Sequence, residues 1–328
     1  MDLEIGGFEV KGGEKRSLGL RVSIEADGTP LEIPVLAAAG RGEGPIICVD
    51  ACHHGDEYEG AKAVLRLWEG LEPGELNGAF LGVPVVNPPA FLAGTRGNLR
   101  DFDTGHLDAN RVYPGRDGCI TERLVKAYFE GVVKKSDRVI SFHGGGNRWL
   151  VGPIAIYQPE GSKTHAESLS MAKAFGVRLL CPTPAGLEGT LLHATAEEGI
   201  PAIAAEIGGH CDRYSNRGSY VGVGVEGVRN VMRRLGILEG PARETDHVFL
   251  EARYIHCANG GLFSPKAKVG DRVEEGDELG LIENPWTGEV IESIRAPFGG
   301  IVWLVMCYPL ANPGDWVFGL GREIAEPR

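Results

Sequence analysis

The sequence of 328 residues contains no long hydrophobic run. Residues 301–310 form one of its longest apolar stretches, which has about half of the ~20 residues that a membrane-spanning helix needs. The first 16 residues are polar and charged, and they lack the apolar core of a secretory signal. We therefore expect a cytoplasmic protein without a transmembrane helix.

Basic residues and paired cysteines are also scarce. The chain has 33 Lys and Arg against 45 Asp and Glu, and its formal net charge of −12 disfavours binding to nucleic acid or to an anionic membrane surface. Its seven cysteines have no C-x-x-C spacing and lie mostly in apolar strings such as residues 46–49. This distribution favours buried reduced thiols over disulfides. We expect neither nucleic acid nor a membrane as a partner.

Between residues 46 and 240, short β-rich runs alternate with amphipathic stretches of helical period. This alternation predicts an α/β domain in which helices flank a mostly parallel central sheet. The predicted strands are residues 46–51, 80–86, 138–142, 153–157 and 202–207. The predicted helices are residues 61–68, 122–133, 166–175, 191–198 and 221–235.

The pattern changes near residue 245, where short Val, Ile and Leu runs are separated by glycines and no helical period is left. Glu239, Gly240 and Pro241 end the preceding helix. We therefore predict two domains, an α/β catalytic domain at residues 1–240 and a small β domain at residues 245–328.

Polar side chains follow four of the five predicted strands, where ligands bind in open α/β sheets. His54 and Glu57 lie three residues apart after the first strand, and His143 follows the third. Two histidines and one glutamate with a free fourth position form a typical catalytic zinc site. Two alternatives remain open: H-x-x-E also arises by chance, and His53 competes with His54 because it precedes Asp56 by three residues.

Five motifs occur in the order of a known family, the succinylglutamate desuccinylase/aspartoacylase family of the zinc carboxypeptidase superfamily. H-G-D-E-Y-E-G at residues 54–60 resembles its zinc-binding signature, and N-P-P-A-F-L-A-G-T-R at residues 87–96 resembles its second motif. D-A-N-R-V-Y-P-G at residues 108–115 is similar to its D-L-N-R-x-F-P-G, and E-I-G-G at residues 206–209 matches its catalytic-glutamate motif. S-F-H at residues 141–143 stands where the family has D-L-H, so its acidic residue is absent here.

The resemblance implies a role for each matching residue. It implies that one Zn²⁺ per chain is bound by His54, Glu57 and His143. Glu206 would be the general base and acid, and its position on an otherwise apolar strand agrees with a working carboxylate.

The same resemblance assigns the arginines. Arg96 would stabilise the developing oxyanion, with Arg100 as a rival, and Asn110 and Arg111 would bind polar groups of the substrate. His210, directly after the glutamate motif, is a candidate to orient a metal ligand. Gly144, Gly145 and Gly146 are expected to let the backbone approach the metal or the substrate.

The segment from residue 269 to residue 302 resembles biotinyl/lipoyl-type barrel-sandwich domains, but residues 283–288 contain no lysine to carry a cofactor. The segment therefore resembles a carrier domain without a carrier function, and the family resemblance implies a C-terminal β domain that packs beside the active site and restricts access to it. The resemblance implies a zinc-dependent hydrolase that cleaves the amide bond of a small N-acyl amino acid or related N-acyl amine, within the subgroup of N-acetyl-diaminobutyrate deacetylases. A metallocarboxypeptidase acting on short peptides is the alternative, and a homo-oligomer is possible.

Overall fold

A computed structural model of the chain describes residues 1–184, 187–209, 219–243 and 245–327. In these ranges the strands are β1 Leu3–Ile5, β2 Phe8–Val10, β3 Lys15–Ile24, β4 Pro30–Ala39, β5 Gly42–Asp50, β6 Asn77–Val83, β7 Arg138–His143, β8 Trp149–Tyr157, β9 Leu179–Pro182, β10 Ala202–Gly209, β11 Val248–His256, β12 Gly261–Pro265, β13 Arg272–Val273, β14 Glu278–Glu283, β15 Val290–Arg295, β16 Gly300–Met306, β17 Leu310–Ala311 and β18 Trp316–Ile324.

The α-helices are α1 Tyr58–Gly70, α2 Pro88–Ala93, α3 Ile120–Gly131, α4 His165–Phe175, α5 Leu191–Glu197 and α6 Ser219–Arg234. Short 3-10 turns cover Pro73–Glu75, Leu99–Asp101, Ala109–Arg111 and Val133–Lys135. In the described part of the chain, no helix is both long and apolar enough to cross a membrane.

The described strands form one large sheet in the order β13-β16-β18-β11-β9-β8-β10-β7-β5-β6-β4-β3. Parallel pairing joins β10, β7, β5 and β6, and separately β11, β9 and β8. The strand β8 runs antiparallel to β10, and antiparallel strands also form both ends of the sheet. The sheet is therefore mixed, and the prediction of a mostly parallel sheet holds only within the two parallel groups, which meet at the antiparallel pair of β8 and β10.

The helices cover both faces of this sheet, as expected for an α/β protein. One buried cluster joins helices α1, α4 and α6 to the sheet through side chains such as Leu67, Phe175 and Met232. A second cluster on the opposite face includes Phe129 of α3 and Leu191 of α5. All five predicted helices are present, because an apolar stripe of helical period must be buried against a core.

The C-terminal segment extends the large sheet and adds a second one. Val248 at the start of β11 pairs with Leu179 of β9, and Leu304 of β16 pairs with Val151 of β8. The strands β15, β14, β12 and β17 form a separate four-stranded sheet. This arrangement brings the C-terminal strands next to β8 and β9, and β8 in turn pairs with β10, the strand that carries Glu206.

Candidate active site

The loop after β5 carries two of the candidate metal ligands. Its residue Cys52 has a φ of 54°, a left-handed conformation that is uncommon for residues other than glycine. Gly55 packs so tightly that a Cβ there would lie 2.0 Å from the carbonyl carbon of Ala90. Glu57 is the N-cap residue of α1. The sharp turn therefore directs His54 and Glu57 together at the carboxyl end of β5.

Three buried side chains converge at this point. The Nδ1 atom of His54 lies 2.7 Å from Oε1 of Glu57, and Nδ1 of His143 lies 3.0 Å from Oε2 of the same carboxylate. The two Nδ1 atoms are 3.3 Å apart. A ligand atom from each residue lies within 4.8 Å of the others. Two imidazole nitrogens and one carboxylate that point at one position are a donor set suited to zinc. We call this position, between His54, Glu57 and His143, the metal focus.

Asp108 and Arg96 surround this group on its outer side. His54 donates through Nε2 to Oδ1 of Asp108 at 3.0 Å, an arrangement that leaves its Nδ1 free to face the focus. Arg96 lies 3.2 Å from Oδ2 of Asp108 and 3.4 Å from Oε1 of Glu57. Its rival Arg100 instead pairs with Glu25 at 2.7 Å. Of the two arginines, the structure brings Arg96 to the site.

His54, Glu57 and Asp108 change one another's pKa values, because they lie close together. Burial opposes ionisation of Glu57, yet His54 and His143 outweigh it and hold the pKa of that carboxyl well below its usual range. Burial likewise opposes ionisation of Asp108, but the hydrogen bond and charge of His54 lower its pKa, and Arg96 adds to this effect. Burial and Arg96 act to lower the pKa of His54, whereas Glu57 and Asp108 outweigh them and raise it to about 9.

His53, the other candidate ligand, points away from this focus. Its Nε2 forms a hydrogen bond with the hydroxyl of Tyr113, and its Nδ1 lies 3.3 Å from Oδ1 of Asp50. Asp56, which sequence spacing paired with His53, accepts a hydrogen bond from the backbone of Asn147 at 2.9 Å. The structure therefore favours the pair His54 and Glu57 over His53 and Asp56.

Glu206 reaches the same cavity from β10. It is the direct partner of His143 in the parallel pairing of β10 with β7. Burial raises the pKa of Glu206 to about 7, and Glu57 adds to the rise, although His143, His54 and Arg96 oppose it. A carboxyl with a pKa near neutrality is suited to both accepting and returning a proton.

Asn110 and Arg111 lie at the edge of the site. The amide oxygen of Asn110 accepts a hydrogen bond from the backbone of Leu191 at 2.9 Å, and its amide nitrogen lies 3.3 Å from Nε2 of His143. The exposed Arg111 donates to the carbonyl of Asn110 at 2.7 Å. Both line the cavity.

Seven candidate site residues line one cavity of about 630 Å³: His54, Glu57, Arg96, Asn110, Arg111, His143 and Glu206. Its walls are mostly apolar, and the C-terminal strands contribute Tyr254, Trp303 and Trp316 to them. The rings of Tyr254 and Trp316 are stacked with their centroids 4.1 Å apart. Sequence reasoning missed these aromatic residues, because nothing local marks them as neighbours of the metal focus. Asp108 was contained in a recognised motif, but its role beside His54 was not predicted.

Of the three glycines after His143, Gly144 and Gly145 line the same cavity, and close packing also requires all three to lack a side chain. A Cβ on Gly144 would lie 2.5 Å from the carbonyl oxygen of Ile207, and one on Gly145 would lie 1.9 Å from that of Trp149. Gly146 has a φ of 53° and approaches Asp56. The lack of a side chain at these glycines therefore lets segments of the same chain pack closely against one another. His210 lies outside the described residues.

Comparison with known proteins identifies the family. Residues 43–233 match the model of the succinylglutamate desuccinylase/aspartoacylase catalytic domain, which covers more than half of the chain. The chain belongs to the succinylglutamate desuccinylase/aspartoacylase family. All seven candidate site residues lie within the matched range.

Relatives of this succinylglutamate desuccinylase/aspartoacylase family member match over nearly its whole length. The N-alpha-acetyl-L-2,4-diaminobutyric acid deacetylase of Halomonas elongata is 27% identical over 320 residues, which cover 94% of this chain and 92% of the relative. The product-bound ectoine utilization protein EutE (DoeB) of Ruegeria pomeroyi has a TM-score of 0.85 at 28% identity, covering 95% and 96% of the two chains. A succinylglutamate desuccinylase/aspartoacylase of Rhodobacter sphaeroides has a TM-score of 0.84 at 25% identity, covering 96% and 97%.

Proposed function

We propose that this chain is a zinc-dependent deacylase that hydrolyses the amide bond of a small N-acyl amino acid or related N-acyl amine. The observation that carries the proposal is the convergence of His54, Glu57 and His143 in a cavity that Glu206 also lines. Membership of a family of acyl-amino-acid hydrolases supports the same reaction class. One zinc per chain is part of the proposal.

The buried donor set fits a zinc ion. The two Nδ1 atoms and the Glu57 carboxylate are oriented toward one another, and Asp108 fixes the ring of His54 from outside. Three protein donors leave a further coordination position for a reactant. A zinc ion bound there would polarise an acyl carbonyl and lower the pKa of a water molecule.

In this mechanism Glu206 moves the proton. It takes a proton from the attacking water and gives it to the amine nitrogen as the carbon–nitrogen bond breaks, so the carboxyl ends in its starting state. A pKa of about 7, raised by burial, makes both transfers accessible near neutral pH. The guanidinium of Arg96 stabilises the negative charge that develops on the carbonyl oxygen.

Asn110 and Arg111 are the proposed anchors for the substrate. Both line the cavity beside the candidate metal site, and a guanidinium binds a carboxylate through two parallel hydrogen bonds. An acidic substrate that approaches a protein of net charge −12 needs such a local positive group.

The name of the Halomonas elongata relative supports an N-acetyl amino acid, and N-acetyl-2,4-diaminobutyrate in particular, as the substrate. For location we propose the cytoplasm. Among the described cysteines, those at positions 48, 52, 119, 181 and 257 are free thiols, which agrees with a reducing compartment.

The decisive experiment is a hydrolysis panel on protein whose metal content has been measured. N-acetyl and N-succinyl amino acids, including N-acetyl-2,4-diaminobutyrate, are offered alongside short unacylated peptides with free C-termini. We expect amine release from at least one N-acyl amino acid, loss of activity on chelation, and recovery with zinc. Cleavage of the peptides alone would favour the metallocarboxypeptidase alternative, and full activity without metal would contradict the zinc mechanism.

A further inference from the structure

The ring of His143 has a second nitrogen, which faces away from the candidate metal focus. With Nδ1 directed at Glu57, Nε2 lies 3.4 Å from Oγ of Ser141 and 3.3 Å from the amide nitrogen of Asn110. A neutral imidazole that presents Nδ1 to a metal carries its proton on Nε2. This proton requires an acceptor, and a metal-bound histidine depends on such an acceptor to fix its ring.

Of these two neighbours, Ser141 is the acceptor. The amide nitrogen of Asn110 is a donor, and its orientation is fixed because the amide oxygen accepts from the backbone of Leu191. A hydroxyl accepts one hydrogen bond while donating another. The hydroxyl of Ser141 donates a hydrogen bond to Oδ1 of Asp50 at 2.7 Å. The lone pairs of the Ser141 oxygen are therefore available to accept a hydrogen bond from His143.

The position of Asp50 is set by strand pairing. Asp50 ends β5 and is the direct partner of Ser141 in β7. Both residues are completely buried. The other carboxylate oxygen, Oδ2, accepts a hydrogen bond from the hydroxyl of Tyr128 at 2.6 Å. A buried carboxylate is costly unless it is hydrogen-bonded, and here each oxygen has its own donor.

We infer that Asp50 is a positioning residue for the metal site, acting through Ser141 to hold His143 with Nδ1 directed at the zinc ion. The chain of contacts runs from Asp50 to Ser141 to Nε2 of His143. The hydrogen bond that Ser141 donates to Asp50 strengthens the serine as an acceptor, because hydrogen bonds along such a chain polarise one another. The inference rests on the zinc site proposed above.

Zinc affinity of the metal-free protein, measured by competition with a chelating dye, tests the inference without relying on activity. Asp50→Asn and Ser141→Ala are each expected to weaken zinc binding about 10- to 100-fold, the usual effect of losing such an outer partner. Their cobalt-substituted forms should show altered visible absorption, because the geometry of the ligand has changed. Ser168→Ala is the matched control, since Ser168 is a buried serine that donates to the carbonyl of Ala202.

Exchange of the paired residues provides a rescue. The double variant Asp50→Ser with Ser141→Asp places the carboxylate directly beside His143, and we expect zinc affinity within about threefold of wild type, since the lost outer partner is restored. Tyr128→Phe removes the bond to the other oxygen of Asp50 and a contact with Sγ of Cys48, but leaves Ser141 in place, and it should have a similarly small effect. If Asp50→Asn does not fold, Ser141→Ala and the double variant decide.

Two results would overturn the inference: wild-type zinc affinity in Ser141→Ala, or an equal loss in Tyr128→Phe and Ser141→Ala. Failure of the wild-type protein to bind zinc would instead contradict the proposed metal site itself. The two failures are therefore distinguishable, because one is read from the variants and the other from the unaltered chain.

Discussion

Glu206 and His143 are direct partners in the parallel pairing of β10 with β7, so their side chains leave the sheet on the same face and at the same level. Both line the cavity that also contains His54 and Glu57. A carboxyl placed beside a candidate metal ligand, but not among the three converging donors, is available for proton transfer.

Glu206→Gln should retain zinc and bind substrate, while kcat falls by at least ~10²-fold, because the amide cannot accept the proton. Steady-state kinetics on metal-analysed protein measure the change. Glu197→Gln, at the exposed end of α5, is the control and should leave kcat unchanged. Near-normal turnover in Glu206→Gln would remove this residue from the mechanism.

Glu206 should also make the stability of the metal-free protein depend on pH. Burial raises its pKa from 4.5 to about 7, so between these values the folded state keeps a proton that the unfolded chain has lost. The contribution of Glu206 to the stability of the wild type therefore falls as the pH rises through this window. Glu206→Gln cannot ionise, and its free energy of unfolding relative to wild type should rise from pH 4.5 and level off above pH 7. Urea unfolding with a chelator measures this difference, and a constant difference across the range would refute the prediction.

Metal analysis tests the proposed ligands. The purified protein should contain about one zinc per chain, and His54→Ala and His143→Ala should each lose most of it, since three donors are needed. His53→Ala should retain zinc, because the imidazole of His53 is directed at Tyr113 and Asp50. His193→Ala, at an exposed position of α5, is the control. Zinc loss in His53→Ala with retention in His54→Ala would reverse the assignment.

Arg111→Ala should raise KM for an N-acyl amino acid about 10-fold or more, because a hydrogen-bonded charge pair with the substrate carboxylate is lost. The same variant should have little effect on an N-acyl amine that lacks the carboxylate. Arg100→Ala is the matched arginine control, since Arg100 pairs with Glu25 outside the cavity. An unchanged KM in Arg111→Ala would exclude this residue as the carboxylate anchor.

Substrate length provides a further test. Tyr254 and Trp316 of the C-terminal strands line the same cavity as Glu206, and we propose that this part of the wall restricts access to long polypeptides. We therefore expect hydrolysis of an N-acetyl amino acid and none of N-acetyl peptides beyond a few residues. A length series of N-acetyl peptides, followed by amine release, measures this limit. Efficient cleavage of the long members would contradict restricted access.

Several features could be predicted from the sequence because they depend on neighbouring residues. The five helices follow from apolar periodicity, and the predicted 166–175 and 191–198 differ by only one residue from α4 and α5. The short spacing of His54 and Glu57 let one turn bring them together. The first strands, β1 to β4, were not predicted.

Tertiary structure decided what depends on distant parts of the chain. The relative direction of two strands depends on which strands pair. The antiparallel pairing of β8 with β10 therefore could not be predicted from the local sequence pattern. The choice of Arg96 over Arg100 depends on contacts with Glu57 and Asp108, which are remote in sequence.

The environment of His143 shows the same division. The sequence identified this histidine and the serine two residues before it, but Asp50 reaches Ser141 only because β5 pairs with β7 across 91 positions of sequence. Tyr254 and Trp316 enter the cavity wall in the same way, through the C-terminal strands that join the large sheet. Residue type and short spacing therefore determined which chemistry was available. Strand pairing decided which side chains surround it, because hydrogen bonds and burial act between neighbours in space.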